Sequence, residues 1–197
     1  MKLILMRHGE TDWNVERRIQ GSQDIALNHN GIGQAEDVVE RLMKDFRITK
    51  IYSSDLVRAV QTAETINLQL NVQIIKTSKL REINFGEWEG KTWTEVSKEY
   101  GTEFTEWKLN RRYAVPPNGE SYQSLLERTI EVLAEITGTE EGTSEVLIVT
   151  HGANIMVLKS ALNGTDFSKM TKYKEGNASF TVFDDKDIED MISLLTV

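Results

Sequence analysis

Cysteine is absent from the 197 residues of this chain. That excludes disulfides, thiolate nucleophiles and thiolate-bound zinc, and it fits a cytoplasmic protein. Histidine is scarce, at three residues, and proline occurs only as the pair Pro116-Pro117. No apolar run approaches the length of a membrane span, and Leu3–Met6 is too short for a signal-peptide core. Basic residues are outnumbered, 23 against 31 acidic, for a formal net charge of −8. That balance argues against a general binder of nucleic acid or anionic membranes. Internal repeats, low-complexity tracts and long linkers are missing as well. With 39% apolar residues, the chain can bury a full core and reads as one domain over 1–197.

Short runs, mostly rich in Ile, Val and Leu, read as strands: Leu3–Met6, Lys50–Tyr52, Val72–Ile75, Val146–Val149, Phe180–Phe183 and Ile192–Val197. They lack clean alternation, which predicts a sheet covered on both faces. Between them lie helical patterns. Ile32, Ala35, Val39, Leu42 and Phe46 share one face, with Asn28 or Asn30 as the N-cap. Ala59, Ala63, Ile66 and Leu70 mark a second helix from Arg58. Leu126, Ile130, Leu133 and Ile136 mark a third, with Ser121 near its start and Gly138 near its end. Ile155, Leu158 and Leu162 mark a fourth, from His151-Gly152 to Asn163-Gly164. The alternation predicts a three-layer α/β fold: a mostly parallel, doubly wound sheet with helices on both faces. The segment 86–118 differs, with Trp88, Trp93, Trp107 and many charges. It reads as a helical lid excursion over the active edge.

Ligands of such sheets bind beyond the carboxyl ends of the strands. His8, Ser53-Ser54 and His151 all follow strands, Arg7 precedes His8, and Arg58 lies within a turn of Ser54. Two strand-end histidines beside arginines suggest a phosphoryl pocket, with one histidine as nucleophile. Arginine suits phosphate because its planar fork bonds two oxygens at once. Arg7, Arg58, His8 and His151 can surround one phosphate, with the backbone at Gly152, Asn14 and the Gln20-Gly21 turn as further donors. His8, His151 and Glu82 could instead make a zinc trio. Two arginines in the same pocket would repel the cation, and no His-Glu-x-x-His spacing occurs.

The run Arg7-His8-Gly9-Glu10-Thr11-Asp12-Trp13-Asn14 resembles the signature of the histidine phosphatase superfamily, the phosphoglycerate mutase-like proteins. Gln20-Gly21, Ser53–Ala63, Leu80–Gly90, Gly119-Glu120-Ser121 and Val149–Gly152 follow in the family's order. The resemblance implies that His8 is the nucleophile and becomes phosphohistidine. It implies that Glu82 is the general acid, and that Arg7, Arg58 and His151 clamp the phosphate with support from Asn14 and Gly152. No metal or other cofactor is called for. The partner is a small phosphate ester, and the edge strand and lid could support a homodimer. The short insertion after Glu82 looks like the phosphatase branch. The alternative is a bisphosphoglycerate-dependent mutase, because Arg111-Arg112 is similar to the mutases' basic pair. Many members carry Arg at the position of Met156, which here reads as a core residue.

Blander readings compete at several positions. Glu82, among Arg81, Glu87 and Glu89, could form an ordinary solvated ion pair. Asn14 could be a helix cap. Trp13, Trp88 and Trp93 read as packing, and His29, placed in a turn, has no catalytic role. Arg111 and Arg112 are either a solvated pair or, on the lid, contacts for a substrate carboxylate. Thr139–Glu145 reads as a surface loop.

Overall fold

The computed structural model describes residues 1–194. Five strands form one sheet in the order β3-β2-β4-β1-β5. They are β1 (Lys2–Arg7), β2 (Ile48–Ser54), β3 (Gln73–Thr77), β4 (Glu145–Thr150) and β5 (Phe180–Phe183). The first four run parallel, and β5 pairs antiparallel with β1 at the edge. The helices are α1 (Asp12–Val15), α2 (His29–Asp45), α3 (Val57–Leu70), α4 (Trp93–Glu99), α5 (Gly101–Leu109), α6 (Tyr122–Thr139), α7 (Gly152–Leu162) and α8 (Asp185–Ser193). None of them is long and apolar enough to cross a membrane.

The unbroken apolar runs of β1 and β4 follow from burial on both faces. Leu3 and Leu5, with Val146 and Ile148, join one core that α6, α7 and α8 cover. Ile4 and Met6, with Leu147 and Val149, join a second core beneath α2 and α3. The three-layer reading therefore holds, as do the four helices read from periodicity. Asn28 is the N-cap of α2, with its side chain accepting from Gly31 N–H. Ser121 caps α6 through Ser124 N–H. His29 is the exposed first residue of α2 rather than a turn residue. Met156 is half-buried against the first core.

Two expectations need correction. Ile192 and Ser193 belong to α8, not to a strand, and residues 195–197 lie outside the described part. Asp184 starts that helix with a capping box, accepting from Lys186 and Asp187 N–H, while Ile188 and Met191 enter the core. A short apolar stretch suits strand or helix alike, and the capping box decides for the helix. Thr139–Glu145 is not wholly a surface loop either. Thr139 ends α6 and Glu145 opens β4. Glu140 accepts from Lys50 Nζ at 2.6 Å and from Tyr52 Oη at 2.7 Å.

The excursion over 86–118 is packed rather than floating. Trp88, Trp93, Phe104 and Trp107 form edge-to-face and stacked pairs and continue the main core through Phe85 and Tyr122. Its base is closed where Glu87 N–H donates to Pro117 O at 3.0 Å. Gly86 makes this approach possible: its φ is +55°, and a Cβ there would lie 2.0 Å from Pro117 O. Gly86→Ala is therefore expected to cost about 2 kcal/mol, combining backbone strain with a clash against main chain. A denaturant midpoint equal to that of the unaltered protein would contradict this.

Candidate active site

The parallel register delivers the site. Arg7 lies opposite Thr150 in the β1–β4 pair, and Ser53 lies opposite Val149 in the β2–β4 pair. The next residues, His8, Ser54 and His151, meet just beyond the strand ends. His8 and His151 have ring centroids 5.1 Å apart. Both are buried, at 3% and 0% exposure.

His8 Nδ1 lies 2.7 Å from Gly9 O. A carbonyl only accepts, so this contact holds the proton on Nδ1 and leaves the Nε2 lone pair facing the cavity. Burial, reinforced by Arg58 and Arg7, pushes the His8 pKa well below the ordinary histidine value, so the ring is neutral near pH 7. His151 is held neutral mainly by burial too. Its Nε2 lies 2.8 Å from Ser54 Oγ, while its Nδ1 is buried without a partner among the described residues.

Arg58 is fully buried on α3. It donates to Gln23 O at 2.6 Å and Gly21 O at 2.8 Å, and its Nε has no partner among the described residues. Arg7 donates to Glu175 O at 2.7 Å, again with an unpartnered buried Nε. Neither guanidinium forms an ion pair with a described carboxylate. Burial lowers the pKa of Arg58 to about 10, still well above neutrality. Buried Arg58 and half-buried Arg7 hydrogen-bond only to carbonyls, and the carboxylates that act on them, Glu82 first, form no ion pair with them, which leaves room for an anionic guest.

Arg81 pairs through both guanidinium arms with Asp55, at 2.6 and 2.7 Å, so it does not neutralise Glu82. Half-buried Glu82 accepts from Ile83 N–H at 2.9 Å and from Ala153 N–H, at the start of α7, at 3.5 Å. Burial raises its pKa despite these bonds and the nearby arginines. The ion-pair reading of Glu82 therefore fails.

Arg7, His8, Asn14, Gln20, Gly21, Arg58 and Glu82 line one cavity of about 140 Å³. That is the liquid volume of about five waters, enough for a phosphoryl group and the first atoms of an ester. Asn14 is both a capping residue of α1 and a lining residue. Its Oδ1 accepts from Thr11 N–H, Thr11 Oγ and Asn177 Nδ2, and its own Nδ2 has no partner among the described residues. Gln20 Oε1 is also unpartnered. Gly152 opens α7 beside Arg7: a Cβ there would meet Arg7 Nε at 3.5 Å, an ordinary contact. The structure does not bring Arg111 or Arg112 to this cavity. They line a separate one, where Arg111 stacks on Trp107 with its guanidinium carbon 3.5 Å from the ring centroid and Arg112 donates to Gln123. Among the described residues, no three His, Asp or Glu side chains gather into a set suited to a metal ion.

Comparison with known proteins shows which family the chain belongs to. The profile of the histidine phosphatase superfamily, branch 1, matches residues 3–195. The chain belongs to that superfamily. Phosphoserine phosphatase 1 of Hydrogenobacter thermophilus is 32% identical over 197 residues, covering 100% of this chain and 92% of the relative. Phosphoglycerate mutase-like protein 4 of Arabidopsis thaliana is 37% identical over 159 residues, covering 80% of this chain and 69% of the relative. A crystal structure of phosphoserine phosphatase from Entamoeba histolytica, in complex with 3-phosphoglyceric acid, superposes with a TM-score of 0.81 at 32% identity, covering 94% of this chain and 91% of that one.

Within this histidine phosphatase fold, several supporting residues carried no sequence signal. Asn177 Nδ2 donates to His8 O, Gly9 O and Asn14 Oδ1, fixing the loop behind the imidazole. It reaches them only because β5 returns beside β1. Arg128 on α6 donates to the carbonyls of Lys79, Arg81 and Glu82 and to Glu120, clamping the segment that carries Glu82. Glu89 accepts from Ser22, Gln23 and Phe85 N–H, tying the loop after Gln20-Gly21 to the base of the lid. Trp93 is not packing alone. It lines the cavity as well as stacking on Trp107.

Proposed function

We propose that this phosphomonoester hydrolase cleaves small anionic phosphate esters through a phosphohistidine on His8. The observation that carries the reading is the His8 tautomer: Nδ1–H is given to Gly9 O, and Nε2 faces the cavity shared with Arg7 and Arg58. Nε2 attacks phosphorus, the bond from phosphorus to the alcohol oxygen breaks, and Glu82 gives that oxygen its proton. Water then attacks the phosphorus of phospho-His8, loses a proton to Glu82, and releases inorganic phosphate and the neutral imidazole. Splitting the displacement in this way lets one site serve both halves. With Ser54 donating to His151 Nε2, the His151 proton sits on Nδ1 and bonds a phosphate oxygen. Arg7 and Arg58 neutralise the charge that develops there.

Cations and proton carriers are thus all side chains of the chain itself. We place the reaction in the cytoplasm, on a small-molecule partner with neither nucleic acid nor membrane involved. The phosphatases among the relatives and the net charge of −8 support this.

The test is an assay of para-nitrophenyl phosphate beside 3-phosphoglycerate, with and without 2,3-bisphosphoglycerate. Phosphate release without 2-phosphoglycerate formation is the expected result. Bisphosphate-dependent formation of 2-phosphoglycerate would replace this reading with that of a mutase.

A further inference from the structure

A second, larger cavity of about 720 Å³ adjoins the first and shares Arg7, Asn14, Arg18 and Trp93 with it. Trp13, Arg17 and Lys174 complete the part that matters here. In a protein of net charge −8, this wall is cationic. Arg18 is engaged by Glu16 at 2.6 Å and by Gly90 O. The acid on the wall, Glu175, is already paired with Lys159. The exposed side chains of Arg17 and Lys174 have no hydrogen bond or ion pair to a described residue. Arg17 also adopts φ +58°, a left-handed backbone that favours glycine or asparagine. That conformation closes α1, with Arg17 N–H donating to Asn14 O and Arg18 N–H to Trp13 O, and Arg17 lines the cavity wall.

We propose that this vestibule holds the alcohol portion of the substrate, and that the alcohol carries a second anionic group, carboxylate or phosphate, bound by Arg17 and Lys174. The proposal rests on the phosphatase reading of the His8 cavity. Transferable phosphate sits against His8, and the ester oxygen leads outward past Arg7 into the vestibule. The volume lies in the range of small-molecule pockets, about 300–1,000 Å³, and suits an alcohol of ring size. Trp13 and Trp93 supply apolar surface beside the two cations.

The test titrates His8→Ala protein, which cannot turn over, with two matched pairs. One pair is phenyl phosphate and para-carboxyphenyl phosphate. The other is a hexose monophosphate and the corresponding hexose bisphosphate. In at least one pair, the member with the second anion is expected to bind roughly tenfold more tightly. Added salt should shrink that advantage, because the two cations are exposed. Arg17→Gln combined with Lys174→Gln should bring both members of the pair nearly level. A preference in one pair only identifies the anion as carboxylate or phosphate. Equal affinity within both pairs, or a preference that survives the double substitution, overturns the proposal. Hydrolysis of para-nitrophenyl phosphate by the unaltered protein is followed alongside. Its absence would sink the phosphatase reading, while the titrations still decide whether the vestibule binds a second anion.

Discussion

His8→Ala is expected to abolish phosphate release from every ester, with a loss of about 10⁴-fold or more. No other side chain can take over. The neighbouring imidazole of His151 has its Nε2 lone pair taken by Ser54 and its proton on Nδ1, so neither nitrogen is free to attack phosphorus. Glu82, a carboxylate anchored to Ile83 and Ala153 N–H, is held for proton transfer rather than attack. The fold should survive, because the backbone around residue 8 is held independently of the ring. His8 N–H donates to Thr150 O and Ala178 N–H donates to His8 O. Asn177 bonds the same carbonyl. Rapid quenching of the unaltered protein during turnover should trap an acid-labile phosphoenzyme that the variant lacks. Activity of the variant near that of the unaltered protein would remove His8 from the mechanism.

Glu82→Gln should separate esters by leaving group. Alkyl phosphates release a basic alkoxide and need the proton, so their turnover should fall about 10²–10⁴-fold. Aryl phosphates release a phenolate that needs little protonation, so their first step should fall far less. The pH profile of kcat/KM carries the same assignment. Attack requires neutral His8, whose pKa burial pushes well below its ordinary value, so activity is lost only on the acid side of that titration. Proton donation requires neutral Glu82, whose pKa burial raises, so activity on alkyl esters falls as pH rises through that elevated value. The optimum lies between the two. In the glutamine variant the alkaline limb on alkyl esters should disappear. Equal losses on both ester classes, with an unchanged alkaline limb, would show that another group supplies the proton.

Much of this site was legible because strand ends are legible. Leu3–Met6 and Val146–Val149 are buried on both faces, and an apolar run closing on Arg-His or Thr-His marks where a buried strand reaches the surface. Arg58 could be placed because α3 begins so soon after β2. Arg111 and Arg112 show the limit of such reading. The lid that carries them was recognised, but their direction depends on how its aromatic cluster packs. Trp107 and Tyr122 draw the Arg111 guanidinium onto their faces, away from the phosphate cavity. At Ile192 and Ser193 the expected strand gave way for a different reason, since a short apolar stretch suits either structure and Asp184 decided for a helix.

What the sequence determined by itself is local and periodic. It specified the two-sided burial of the strands, the helix faces between them, the chemistry placed at strand ends and the family signature across the chain. What only the tertiary structure decided is how groups distant in sequence meet. It set the tautomer of His8, the escape of Glu82 from Arg81, the clamp of Arg128 on the Glu82 segment and the cationic vestibule built from Arg17 and Lys174. Burial patterns are written into neighbouring residues, three or four apart. Hydrogen bonds and electrostatic fields act over a few ångströms of space, whatever the separation along the chain.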